Sequence, residues 1–378
     1  MNCKICCILL FCSISYGIAD VLVTLPNGKV RGHVLESPGG MKFYAFQGIP
    51  YAKPPVGNLR FQAPQAVENW DGIINATKTS NRCYSVAKDT DDESEDCLYL
   101  NVYTPILESE NNTKLPVMIF IYGGGFNDGA SAYNIYGPDY LLEQDLIVVS
   151  FNYRVGPFGF LSTGDEVVPG NAGLKDQLLA LKWTNQNIGL FGGDITKITL
   201  FGQSAGAASV AYHILSNQSA GLFRAGIAES GSALNIWGFL QNPRPYGFEL
   251  ALKIDNVTVT DNSTLLLNYL LSVPAKEIDI ASTKTKITVL PVIEKEGEDS
   301  FLTKEMYEQL ESGDINRVPL LIGINSEESL GKAKDLTSYH NELVKLDSDI
   351  TLLIPSDLNL TENSNKTEIA EEIKKDLS

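Results

Sequence analysis

Phe201-Gly202-Gln203-Ser204-Ala205-Gly206 is the stretch whose reading decides the architecture of this chain. It follows the apolar run Ile198-Thr199-Leu200 and precedes Ala207 to Leu215, whose spacing predicts a helix. A serine flanked at one remove by two glycines, at a strand-to-helix junction, is what a nucleophile elbow requires. The turn leaves no room for side chains at its flanks, and the serine itself must adopt a backbone geometry that is otherwise avoided. Its hydroxyl then stands over the sheet edge at the positive end of the following helix. Gly-x-Ser-x-Gly also arises by chance in glycine-rich loops. The strand before it and the helix after it favour the elbow, with Ser204 as candidate nucleophile.

Upstream, Gly123-Gly124-Gly125-Phe126 follows the apolar run Val117 to Tyr122. Three glycines let bare backbone N–H groups approach a bound carbonyl. Acyl transfer needs such donors where negative charge develops, and losing one typically costs about 3 kcal/mol. A plain glycine-rich turn is the bland alternative. A phosphate loop is disfavoured, because no Lys-Ser/Thr follows the glycines. Beside the elbow, the triplet is expected to supply oxyanion donors from Gly124 and Gly125, joined by the N–H of Ala205.

The intervening pattern predicts an α/β fold. Val117 to Tyr122, Leu146 to Asn152, Ile198 to Phe201, Ala225 to Ala228 and Val318 to Ile324 are short apolar runs, as strands buried on both faces would be. Asn171 to Ile188 reads as an amphipathic helix with Leu174, Leu178, Leu181 and Trp183 inward. Alternation of this kind implies a mostly parallel central sheet with helices on both faces. Before it, Val21 to Phe46 alternates around Pro26-Asn27-Gly28, as a small antiparallel hairpin would. No linker or repeat divides the chain, so residues 20–378 are expected to form one domain. Thr367 to Leu377 has helical spacing yet ends without a capping glycine. The expectation is a domain incomplete at its C-terminus, with an apolar sheet flank exposed and poor solubility.

Bulk composition limits the function classes. The chain has 378 residues, 44% of them hydrophobic, and a formal net charge of −17. Nothing concentrates Lys and Arg on one face, so no nucleic-acid partner is expected. Residues 1–19 read as a secretion signal, with Lys4, the apolar core Ile5 to Ile14 and small residues before cleavage at Ala19. Cys3, Cys6, Cys7 and Cys12 leave with it. Cys83 and Cys97 remain, an even count in an oxidising compartment, and are expected to form one disulfide. A metal or redox pair is the alternative, but none of the three histidines clusters with them. No metal or cofactor is expected. Sequons at Asn75, Asn111, Asn217, Asn256, Asn262, Asn359 and Asn365 fit a glycosylated, secreted surface, some of them as chance matches. The C-terminus shows no retention signal, lipid anchor or apolar tail, so no membrane anchor is expected.

The ordered blocks Glu95-Asp96-Cys97-Leu98-Tyr99-Leu100-Asn101-Val102, Gly123 to Gly125, Asn152-Tyr153-Arg154-Val155-Gly156, Gly170 to Gln177, the elbow, and Ala228-Glu229-Ser230-Gly231-Ser232 carry a specific resemblance. The chain is similar to type-B carboxylesterases, the cholinesterase-like branch of the α/β-hydrolases, and to insect members in particular. The similarity runs from about Val21 to the end. It implies an α/β-hydrolase fold and a small-molecule ester as substrate. By position, Ser204 resembles the family nucleophile and Glu328 its acidic partner, with Glu327 as the adjacent competitor. Trp237 lies where the family lines its acyl pocket. Arg60 with Glu95, and Arg154 with Asp176, resemble structural ion pairs.

One departure stands out. Serine is a poor nucleophile until a base takes its proton, and in this family the base is a histidine. His33 lies in the N-terminal hairpin, His213 more than two turns along the elbow helix in a packing or surface position, and His340 twelve residues beyond Glu328 without the family's surrounding motif. None is expected to be the base. Either the chain is a truncated copy of an active enzyme or it is an inactive relative; the unfinished helix favours truncation. Gln203 stands where cholinesterases have glutamate, and the segment Cys83 to Cys97 has no tryptophan for a quaternary ammonium. A neutral apolar ester is the expected substrate, and the glutamine is similar to juvenile hormone esterases. The rival reading is a secreted, non-catalytic binding or adhesion protein.

Overall fold

The computed structural model describes residues 21–85, 92–108, 113–235, 237–255, 261–328, 335–354, 360 and 364–376. The expected leader, with its four cysteines, and the sequons at Asn111, Asn256 and Asn359 lie outside these residues.

Among the described residues ten strands form one sheet: β1 Val21–Leu25, β2 Gly28–Glu36, β3 Lys42–Pro50, β4 Ile73–Asn75, β5 Tyr99–Thr104, β6 Leu115–Ile121, β7 Ile147–Phe151, β8 Gly193–Gln203, β9 Ala225–Glu229 and β10 Leu320–Gly323. The order is β1-β2-β3-β5-β7-β6-β8-β9-β10, with β4 beside β2. β7, β6, β8, β9 and β10 are mutually parallel. β1, β2, β3, β5 and β7 pair antiparallel. The expected hairpin is therefore the start of a longer meander: Pro26-Asn27 turns β1 into β2, but β2 continues into β3 and β3 into β5. The run Tyr99 to Thr104, not read as a strand from sequence, joins the meander to the parallel half.

Helices fill the crossovers: α1 Tyr133–Tyr136, α2 Asp139–Leu142, α3 Gly156–Phe160, α4 Ala172–Asn187, α5 Ala205–Leu215, α6 Arg244–Asp255, α7 Ser263–Ser272, α8 Ala275–Ser282, α9 Met306–Ser312, α10 Leu336–Ser348 and α11 Lys366–Asp376. Because strand side chains alternate, Val117, Ile119 and Ile121 of β6 face one way with Val102, Val149 and Phe46 and join the main core, on which α4 and α5 pack. Phe43, Ala45, Tyr103 and Val148 point the other way and form a smaller cluster with Leu142 of α2. Sheet faces on both sides are thus apolar, as parallel strands demand.

Two sequence expectations need correction here. The elbow helix starts at Ala205, not Ala207, because the turn at Ser204 passes straight into it. α4 is buried on nearly every side instead of one, so its polar residues are neutralised internally. Asp176 meets Arg154, Lys175 meets Glu294, and Gln177 donates to Ser209 Oγ at 3.0 Å.

The far edge differs in character. β10 is exposed along its whole length, with Leu321 at 66% and Ile322 at 57% exposure, and Ile324 beyond it at 80%. These apolar side chains face solvent along this edge. α10 and α11 pack on the turn Ile350–Leu353, and among the described residues none beyond Val318 belongs to either core cluster.

Candidate active site

β8 delivers Ser204 at its end with φ 58° and ψ −122°, a combination that costs a non-glycine residue about 1–3 kcal/mol. Its surroundings hold it there. The Ser204 N–H donates to Glu229 O at 2.8 Å, and its carbonyl accepts from Ala208 N–H at 3.0 Å, beginning α5. A β-carbon on Gly202 would lie 2.5 Å from Gly206 carbonyl atoms, and one on Gly231 would lie 2.3 Å from Ser204 O. The serine is partly exposed while Gly202, Ala205 and Gly206 around it are buried.

The glycine triplet lies against this elbow. A β-carbon on Gly123 would come within 2.9 Å of Ser204 Cβ and 2.5 Å of Gln203 O. Gly123, expected as one of the triplet but not as an oxyanion donor, serves close approach. Gly124 (φ 120°), Gly125 (φ 60°) and Phe126 (φ 61°) form a left-handed run that turns the loop back. Asn127 and Asp128 N–H both donate to Gly124 O at 3.1 Å. Behind the loop, Tyr122 and Tyr153 stack at 4.4 Å, and each hydroxyl donates to the other's carbonyl at 2.9 Å. Both are fully buried, so these bonds are made where an unpaired hydroxyl would be costly.

Glu328 reaches the site through Ser230. β10 pairs with β9, so Ser230 N–H donates to Gly323 O at 2.8 Å. Glu328 Oε1 then accepts from Ser230 Oγ and from Asn325 N–H. These bonds, Ser230 first, hold the Glu328 carboxyl below the usual carboxylate range. Among the described residues, Glu327 makes no bond to Ser230 or Asn325. Ser230 is itself at φ 58°, next to the Glu229 carbonyl that binds Ser204. Its bridging position was missed from sequence, where it counted only as part of a matching block. The signal available was a further serine at a strand end, Ser230, followed by Gly231.

Trp237 is half-buried against the core, in a loop tied to the elbow helix by Tyr212, whose hydroxyl donates to Gly238 O at 2.6 Å. Cys83 and Cys97 are joined. Arg60 pairs with both Glu95 oxygens at 2.6 Å, and Arg154 with both Asp176 oxygens. The sequons at Asn75, Asn217, Asn262 and Asn365 are exposed.

The three histidines stand elsewhere. His33 Nε2 bonds Gln47 Oε1 at 3.1 Å, and His340 is exposed on α10. His213 is wholly buried, not on the surface, between Ser219 Oγ (2.7 Å) and Gln177 Oε1 (3.1 Å). Among the described residues, none of them hydrogen-bonds Ser204. Burial pushes the His213 imidazole down to about 3, from 6.5. Between those values the unfolded state binds the extra proton. Stability from the neutral ring is therefore complete above about pH 6.5 and falls as pH drops, by at most about 1.4 kcal/mol per pH unit. Thermal unfolding at about pH 7 and about pH 5 should show Tm falling with acid, and His213→Gln should shrink that fall. An undiminished fall in the variant would contradict the assignment.

Among the described residues no group of three or more His, Cys, Asp or Glu could hold a metal ion, and no helix is long and apolar enough to cross a membrane. Comparison with known proteins agrees with the geometry. The juvenile hormone esterase of Tribolium castaneum is 38% identical over 361 residues, covering 91% of this chain and 61% of its own length. Esterase FE4 of Myzus persicae is 41% identical over 325 residues, covering 82% and 56%. The chain thus spans about three fifths of the length of such relatives. The crystal structure of juvenile hormone esterase from Manduca sexta, with OTFP covalently attached, superposes with a TM-score of 0.84 at 29% identity, over 94% of this chain and 70% of that one. Residues 19–378 match the Carboxylesterase family, and the chain belongs to it.

Proposed function

We propose that this chain carries the catalytic centre of a secreted, glycosylated carboxylic ester hydrolase that works through an acyl-Ser204 intermediate. The observation that carries the reading is Ser204 at φ 58° and ψ −122°, with Gly123 against its β-carbon. In the first half-reaction Ser204 Oγ bonds to the ester carbonyl carbon as a base takes its proton. The N–H groups of Gly124, Gly125 and Ala205 stabilise the oxyanion; the carbonyl then re-forms as its bond to the alkoxy oxygen breaks, the base returning its proton to that oxygen so that a neutral alcohol leaves. Water repeats the sequence on the acyl-enzyme and releases the acid. Glu328 orients and stabilises the protonated base, and Trp237 lines the acyl side.

The substrate assigned is a neutral apolar ester. Gln203 beside the nucleophile is uncharged, and residues 83–97 hold no tryptophan. The named relatives are insect esterases, which supports this class and an extracellular setting. None of the three histidines is placed as the base, so the 378-residue chain by itself is assigned nucleophile, oxyanion donors and acid with negligible turnover.

A fluorophosphonate probe tests the reading on a form of the protein that supplies the base as well. The expected result is a covalent adduct on the peptide containing Ser204, absent in Ser204→Ala. No adduct on the folded wild type would overturn it and favour the non-catalytic secreted binding protein.

A further inference from the structure

The disulfide-closed segment and the glycine-triplet loop meet at an ion pair. Arg82 is held through its backbone: its N–H donates to Asp92 O at 3.0 Å, and its carbonyl accepts from Ser94 N–H at 3.0 Å. The next residue, Cys83, is tied covalently to Cys97. From this anchored position Arg82 Nη2 reaches Asp128 Oδ1 at 3.0 Å. The same oxygen accepts the Gly129 N–H at 2.7 Å.

Asp128 closes the loop that begins with the triplet. Its N–H donates to Gly124 O, and its carbonyl oxygen sits 2.1 Å from where a β-carbon on residue 124 would stand. Gly124 to Asp128 is therefore one tight turn with three successive residues at positive φ. Such a turn has few regular hydrogen bonds to keep its amides aimed. Asp128 is the point where a side chain from a separate, cross-linked segment takes hold of it. The pair is partly shielded, with side-chain exposures of 17% and 34%, so water screens it less than a fully exposed pair.

We propose that Arg82 is a positioning residue for the oxyanion loop, holding Gly124 and Gly125 against Ser204 through Asp128. This rests on the reading of Ser204 as nucleophile. Donors act on the rate by being in place before charge develops, so a loosened loop lowers kcat more than it raises KM. Displacement by a fraction of an ångström at such donors is expected to cost about tenfold in rate.

Two readouts test it, the first on this chain and the second on a form that also supplies the base, with Arg82→Met, Arg82→Lys, Asp128→Asn and the Arg82→Met/Asp128→Asn double variant. Asp128→Asn keeps an oxygen for Gly129 N–H and removes only the charge. The first readout is amide hydrogen exchange in residues 123–129, which needs no catalysis; Arg82→Met should speed it about tenfold, from loss of a local anchor. The second is ester hydrolysis with fluorophosphonate labelling. There kcat should fall about tenfold with KM little changed, Arg82→Lys should recover most of it, and the double variant should be no worse than Arg82→Met alone. Unchanged exchange with unchanged kcat would overturn the proposal, as would losses that multiply in the double variant. A wild type that takes no label would sink the nucleophile reading, while faster exchange in Arg82→Met would still uphold Arg82 as the anchor of the loop.

Discussion

Alanine at position 206 is expected to cost the fold about 3 kcal/mol or more and to take the elbow with it. The added methyl would lie 2.0 Å from Ile121 O, 2.8 Å from its carbonyl carbon and 2.9 Å from Tyr122 O. All three are backbone atoms. β6 is hydrogen-bonded to β7 on one side and β8 on the other, so it cannot retreat alone. α5 cannot retreat either without pulling on Ser204, whose carbonyl begins the helix. Helix propensity argues the other way, favouring alanine over glycine by about 1 kcal/mol. The clash outweighs that preference and decides the sign.

A matched control separates close approach from backbone conformation. Gly221 is at φ 76° with nothing within 4 Å of its would-be β-carbon. Gly221→Ala therefore meets strain alone and is expected to cost about 1–2 kcal/mol. Urea unfolding of both variants checks the ordering. Equal losses would show that the elbow has slack that these contacts deny. The functional consequence follows from the same geometry: Tyr122 leads into Gly123, so separating α5 from β6 also separates the triplet from the nucleophile.

The sequence showed the parallel half of the fold clearly because each of its strands is a short apolar run bounded by turn residues. Leu146 to Asn152 and Val117 to Tyr122 needed only the rule that strands covered on both faces are continuously apolar. The antiparallel half was less legible. Tyr99 to Thr104 mixes Asn101 and Thr104 with apolar residues, and its polar side chains are satisfied only in three dimensions, as when Asn101 donates to Ser131 O and Ser150 Oγ. α4 misled for a related reason. Lys175, Asp176 and Gln177 look like a solvent face, and only their distant partners Glu294, Arg154 and Ser209 reveal them as interior. At the site, glycines and the serine were visible because backbone sterics restrict which residues fit. Ser230, Arg82 and Asp128 were not, since a hydroxyl or charge acquires meaning only from what the fold places opposite it.

That dependence on a distant partner makes Arg154→Met the second large effect, expected at about 3–5 kcal/mol. Arg154 Nε and Nη2 bond both Asp176 oxygens at 2.8 and 2.7 Å, and the Arg154 N–H adds a third bond to Oδ2 at 3.0 Å. Nη2 also donates to Gln62 O at 2.8 Å. Asp176 is fully buried. Burial pushes its carboxyl up, and the Arg154 guanidinium beside it opposes that push more than any other neighbour does. Methionine keeps much of the arginine stem's volume but leaves a carboxylate in the core with only backbone partners. The pH dependence supplies the sign. Without Arg154 the folded-state affinity of Asp176 for a proton rises further above its unfolded value near 3.9, so the folded variant binds protons more readily than its unfolded chain. Its deficit relative to wild type should be largest near neutrality and shrink as pH falls toward that unfolded value. Replacing both partners, Arg154→Met with Asp176→Leu, removes the stranded charge as well and is expected to cost less than Arg154→Met alone. Chemical unfolding of the single and double variants at two pH values distinguishes this from simple loss of packing, in which the deficit would be independent of pH and the double variant would be the less stable of the two.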